Sequence, residues 1–120
     1  MRIKQSEADV KKACCDYLDV LGIAWFRRNV GAARMTGGYW VKFAATGQSD
    51  LWAIWQHGTH MEIELKATGK KPTEDQKKWL AACRERGAIA FWADSLDMMI
   101  MELRAAAAYR GWRVRAFEQL

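Results

Sequence analysis

The sequence predicts a single α/β domain, and three observations carry that prediction. Apolar residues recur at helical spacing in three stretches, and short apolar runs rich in β-formers lie between them. The 120 residues are enough to bury one core and too few for two, and no repeat or low-complexity linker divides them, so residues 1–120 form one unit.

The elements follow in order. Ser6 has the character of an N-cap with Asp9 three residues on, and Val10, Ala13, Cys14, Tyr17, Leu18 and Leu21 mark one helix face that Gly22 ends. Residues 23–28 read as a strand, and residues 27–47 as a long glycine-rich loop. Leu-Trp-Ala-Ile-Trp over 51–55 is a strand, Gln56 to Thr59 a hairpin loop, and 61–66 the returning strand. Thr73 and Gln76 have the spacing of a capping box for a helix over about 74–86, with Trp79, Leu80 and Cys83 on one face and Gly87 at its end. Residues 88–93 make another apolar strand. Ser95 then caps a last helix to about Tyr109, with Leu96, Met99, Ile100 and Leu103 inward, and the tail 112–120 is expected to add a short strand or a dimer contact.

Chemistry concentrates in the hairpin. Side chains alternate along a strand, so His60, Glu62, Glu64 and Lys66 share one face while Met61, Ile63 and Leu65 share the core face. Pairing Trp55 with His60 across the loop brings Asp50 opposite residues 64–65. Two close carboxylates repel, and a hard divalent cation relieves that repulsion; magnesium is commonly held by one or two protein carboxylates. Such an ion acidifies water and offsets charge on phosphoryl oxygens, and the ammonium of Lys66 is placed to orient a nucleophile. Glu-Leu-Lys alone would be read as a solvated sheet face. Asp50 at the head of the preceding strand, after the turn at Gly47, and the Thr73-x-x-Gln76 helix start shift the balance toward a site. Glu62, on the same face, has no assigned role.

Gly47-x-x-Asp50, Ile63-Glu64-Leu65-Lys66 and Thr73-x-x-Gln76 together resemble the VRR-NUC domain, the virus-type replication-repair nuclease branch of the PD-(D/E)xK nuclease superfamily, and the order of elements matches over about residues 7–103. The resemblance implies a restriction-endonuclease-like core: a central mixed β-sheet flanked by helices. It also implies Mg2+- or Mn2+-dependent hydrolysis of DNA phosphodiester bonds, acting on branched DNA, Holliday junctions or flaps in repair, recombination or viral replication. Asp50 and Glu64 match the metal-binding acids, with the Leu65 carbonyl assisting, and Lys66 matches the catalytic lysine. Glu7 matches an additional acid on the first helix, and Gln76 a glutamine that reaches back to the site. Local physics offers each of those two another role, since Glu7 complements the helix dipole and Gln76 completes a capping box. Ser49 stands where the superfamily name has proline, which alters the turn more than the chemistry. The resemblance further implies a homodimer.

Composition agrees with a polyanionic partner. Lys and Arg number 19 against 14 Asp and Glu, a net charge of +5 and a pI near 9.3. Arg27, Arg28, Arg34 and Lys42, interleaved with glycines and aromatics, are the expected DNA contacts, joined by Lys70 and Lys71 just past the catalytic strand. Trp40 and Phe43 in that loop are equally suited to plugging the core. Seven tryptophans suggest a subunit interface. No run of residues has the length and apolarity of a membrane helix or signal core, so a soluble, cytoplasmic protein is expected. Cys14, Cys15 and Cys83 lack a disulfide or zinc spacing, and His57 and His60 alone do not make a zinc site. Two non-enzymatic readings remain beside the nuclease: a nucleic-acid-binding module and a protein-interaction domain of the same fold.

Overall fold

The computed structural model describes residues 2–28, 32–34, 40–42 and 47–119. The chain runs α1 (Glu7–Val20), β1 (Ala24–Arg27), β2 (Ala32–Arg34), β3 (Trp40–Lys42), β4 (Leu51–Ile54), β5 (His60–Leu65), α2 (Glu74–Glu85), β6 (Ile89–Ala93) and α3 (Leu96–Tyr109). Strands β1, β4, β5 and β6 form one sheet in that order. The first three pair antiparallel, whereas β5 and β6 are parallel, with α2 as the crossover between them. This is the mixed sheet flanked by helices that the sequence predicts.

Each helix starts where its local chemistry dictates. Ser6 and Thr73 each form a reciprocal capping box, with Asp9 and Gln76 respectively, and the Ser95 hydroxyl accepts from the Met98 N–H. The apolar stripes of α1 and α3 then lie on one face of the sheet. Val10, Cys14 and Leu18 meet Met99 and Leu103 there, over Leu51, Met61, Ile63, Leu65 and Phe91. Burying each of these larger aliphatic side chains contributes about 1.5–3 kcal/mol. The opposite face of β5 and β6 is covered by α2, so β5 is buried on both sides and its charged face is no solvated surface.

Two expectations change. Residues 27–47 are not simply a loop, since β2 and β3 pair antiparallel as a separate two-stranded sheet. The tail adds no strand: residues Arg115–Gln119 form a 3-10 turn. It folds onto the core through Trp112 and Phe117, whose rings stand edge-on to Trp55 at 5.3 and 6.5 Å. Trp55, Trp112 and Phe117 thus pack on one another within one chain.

Candidate active site

The ends of β4 and β5 set the site. Leu51 pairs with Ile63 and Ile54 with His60, a register one residue from Trp55 opposite His60, and its continuation sets Asp50 against Glu64. The Arg28 N–H donates to the Asp50 carbonyl at 2.7 Å, which extends the β1–β4 pairing to the residue that carries the carboxylate. Glu64 is only 5% exposed. Burial first and then the charge of Asp50 push its carboxyl up to about 7, against the opposing pull of Lys66, with Glu7 adding to the rise. Asp50 Oδ1 and Glu64 Oε2 are both buried without a hydrogen-bond partner among the described residues.

Three other side chains close around these acids. Lys66 Nζ stands 3.5 Å from Glu64 Oε1, and Gln76 Nε2 donates to the same oxygen at 3.3 Å. The other end of that amide, Gln76 Oε1, accepts from the Thr73 N–H at 2.9 Å. One glutamine therefore caps α2 and touches Glu64, and the two roles divide between its two ends. Gly47 allows α2 to sit this close: its φ is +89°, and a Cβ there would lie 2.7 Å from the Asp75 carbonyl oxygen. Lys11, which was absent from the sequence-based candidates, pairs with Asp50 and, at 3.2 Å, with Glu7. Burial works against its charge, but the two carboxylates outweigh it and raise its pKa. Its spacing of four from Glu7 was the available signal, and it is a common one on helices.

The remaining candidates are distributed unevenly. Glu7 is half-exposed and paired with Lys11, and its charge reaches Glu64. Leu65 is fully buried next to Glu64 on β5. Arg27 is exposed and lines a cleft of about 490 Å³ together with Glu7, Lys11, Lys12 and Asp16. Lys70 and Lys71 are exposed beyond β5. Arg34 and Lys42 lie on β2 and β3, but their side chains, like that of Trp40 and the whole of Phe43, fall outside the described residues.

Arg28, expected among the DNA contacts, has a partner within the chain. Its guanidinium forks onto Glu62, with Nη1 donating to Oε1 at 2.6 Å and Nη2 to Oε2 at 3.0 Å. Glu62 is fully buried. Burial pushes its carboxyl up, and hydrogen bonds from Arg28, Trp79 and His60 outweigh that and hold it below the usual carboxylate range.

The donor set fits a hard cation. Among the described residues no group of three or more His, Cys, Asp or Glu side chains stands where it could hold a metal ion, so Glu7 does not join Asp50 and Glu64 as a third protein ligand. Two carboxylates with unpartnered oxygens are what magnesium, which retains water and takes substrate oxygens, commonly uses.

No protein-family model matches the sequence, and no curated protein does. A solved chain described as "VRR_NUC domain" superposes on this one with a TM-score of 0.63, covering 83% of this chain and 97% of that chain at 20% sequence identity. The chain has the VRR_NUC fold. Within this fold, Asp50, Glu64, Lys66 and Gln76 gather at one end of the central strands, where the N-terminal turns of α1 and α2 converge. No helix among the described residues is long and apolar enough to cross a membrane.

Proposed function

We propose that this chain is a divalent-metal-dependent nuclease that hydrolyses DNA phosphodiester bonds. The observation that carries the reading is the pair of buried carboxylate oxygens, Asp50 Oδ1 and Glu64 Oε2, for which the described residues offer no donor. Leaving such acceptors unmatched costs free energy unless a cation uses them. Asp50 and Glu64 would hold Mg2+ or Mn2+, with the adjacent Leu65 carbonyl as a further oxygen. A bound ion there supplies Lewis-acid stabilisation of the phosphoryl oxygens and acidity to water.

The chain's own groups do the rest. Lys66, beside Glu64, carries a positive charge at the point where a nucleophilic water must be oriented and where negative charge grows on the phosphate. Gln76 fixes Glu64 Oε1, and the buried Oε2 is left without a donor among the described residues. Lys11 holds Asp50 and Glu7 on α1 and adds a second ammonium to the site. Arg27, Lys70 and Lys71 are exposed cations that would contact backbone phosphates and position the duplex without reading its sequence. The VRR_NUC fold supports DNA as the partner. In this reading the protein works inside the cell as a homodimer that presents two sites to branched DNA.

The test uses supercoiled plasmid, a four-way junction, a flap and single-stranded DNA with Mg2+, Mn2+ or chelator. Wild-type protein should cut in either metal and not with chelator. Asp50→Ala should fall to background, and Lys66→Ala should lose about 10²–10³-fold in rate. Absence of cutting in every metal overturns the enzyme reading, and binding without cutting would leave a nucleic-acid-binding module. A monomer mass at micromolar concentration would remove the dimer.

A further inference from the structure

We propose that the buried Arg28–Glu62 pair is a positioning device for the Asp50 carboxylate, an inference that rests on the nuclease reading of the site. Arg28 follows the last residue of β1 and grips the segment before β4 at two points. Its own N–H donates to the Asp50 carbonyl at 2.7 Å, and its Nη1 donates to the Ser49 carbonyl at 2.8 Å. Both terminal nitrogens of the guanidinium are then fixed by Glu62 in a bidentate fork. A fork sets direction as well as distance, which a lysine at the same place does not.

Glu62 is in turn held from α2 and from the first residue of its own strand. Trp79 Nε1 of α2 donates to Oε1 at 2.9 Å, and His60 Nε2 lies 2.5 Å from Oε2. Trp79 is one helical turn beyond Gln76, so the helix that reaches Glu64 through Gln76 also reaches Glu62 through Trp79. The three elements that bring Asp50, Glu64 and Gln76 together meet at this one buried pair. A role in stability alone does not account for the two carbonyl contacts, because buried ion pairs replaced by apolar residues of similar volume often leave stability unchanged or improved.

That property provides the test. The double variant Arg28→Met/Glu62→Leu removes the pair without leaving an orphaned charge, and Leu103→Ala, a core change on α3, measures how much loss instability alone causes. Calorimetric titration with Mn2+, thermal unfolding and cleavage kinetics are read on the full chain. The double variant should unfold within a few degrees of wild type, bind Mn2+ at least tenfold more weakly and show a reduced kcat at an unchanged KM. Arg28→Lys, which keeps the charge and loses the fork, should be equally impaired in Mn2+ binding. Wild-type Mn2+ affinity and kcat in the double variant, or the same losses in Leu103→Ala, would overturn the proposal. If the double variant fails to fold, Glu62→Gln, which keeps acceptors for Trp79 and Arg28, decides: a threefold or greater loss of Mn2+ affinity supports the proposal and none overturns it. If wild type neither binds Mn2+ nor cuts, the nuclease reading fails separately. Amide exchange across residues 47–50 then decides the positioning role, tenfold faster exchange in the double variant supporting it and unchanged exchange refuting it.

Discussion

Glu62 and Glu64 lie two residues apart on the same face of β5, both are shielded from water, and their surroundings are opposite. Glu62 receives Arg28 on both oxygens, with Trp79 and His60 completing the shell. Glu64 has Lys66 and Gln76 on one oxygen and no partner among the described residues on the other, with Asp50 nearby as a like charge. The same strand thus buries one carboxylate whose acceptors are all matched and one that is left short of positive charge. Burial of an acid is therefore no guide to its role, whereas the count of unmatched oxygens is. The first acid has its charge matched by a guanidinium, and the second keeps an oxygen for which the described residues offer no donor, the oxygen on which the proposed metal reading rests.

Breaking the matched acid should have the largest effect. Glu62→Ala removes the partner of the part-buried Arg28 guanidinium and leaves Trp79 Nε1 without its acceptor, and should cost about 3 kcal/mol, measured by urea unfolding at pH 7. A loss below about 1 kcal/mol would show that the buried pair is not what it is taken to be.

The unmatched acid should behave in reverse. A carboxyl raised from 4.5 to about 7 disfavours the folded state once ionised, by about 3 kcal/mol. In chelator, wild-type stability should therefore be highest below pH 4.5 as far as this group is concerned, fall between about 4.5 and 7, and level off above. Glu64→Gln should be more stable than wild type at pH 8 by up to about 3 kcal/mol and equal to it near pH 4. Glu62 contributes with the opposite sign, since its lowered carboxyl adds stability above 4.5 that is lost on further acidification. A Glu64→Gln profile parallel to wild type from pH 4 to 8 would defeat this contrast.

Supplying the missing charge should close the gap. Mn2+ at a hundred times its dissociation constant should stabilise the wild type by about 2.7 kcal/mol, with the increment growing as pH passes through 7, because proton and metal compete for Glu64. The increment should vanish in Asp50→Asn, read from the same unfolding curves.

The smallest effect belongs to Lys11. Its ammonium partly neutralises Asp50 and Glu7 from a position that still reaches solvent. Lys11→Met should tighten Mn2+ binding a few-fold, about 1 kcal/mol or less, while leaving the fold intact. Weaker Mn2+ binding would mean that Lys11 shapes the site more than it competes within it.

The legible part of the molecule was what alternation and caps encode locally. Period-two spacing put Glu62, Glu64 and Lys66 on one face, and Ser6, Thr73 and Ser95 announced the three helices through their own hydrogen bonds. Asp50 opposite residues 64–65 followed from a hairpin short enough to limit its register to one residue. The Arg28–Glu62 fork was hidden because it joins residues 34 apart, and only the order of strands brings β1 and β5 to either side of β4. In sequence, Arg28 belongs to a run of basic residues, the pattern of a phosphate-binding loop. The β2–β3 pair escaped because strands of three residues between glycines carry too little periodicity to be seen. Lys11 was obscured for a different reason: a lysine four residues from a glutamate on a helix is common surface chemistry, and nothing local told that Asp50 would arrive beside it.

Gly47 has a mechanical consequence. Its bare Cα rests against the backbone of Asp75, the residue before Gln76, so the turn leading into Asp50 and the first turn of α2 are in direct backbone contact. A push on one is delivered to the other with no flexible side chain to absorb it. The segment carrying Asp50 and the helix carrying Gln76 thus touch backbone to backbone at Gly47, and a methyl group placed there acts as a wedge between them.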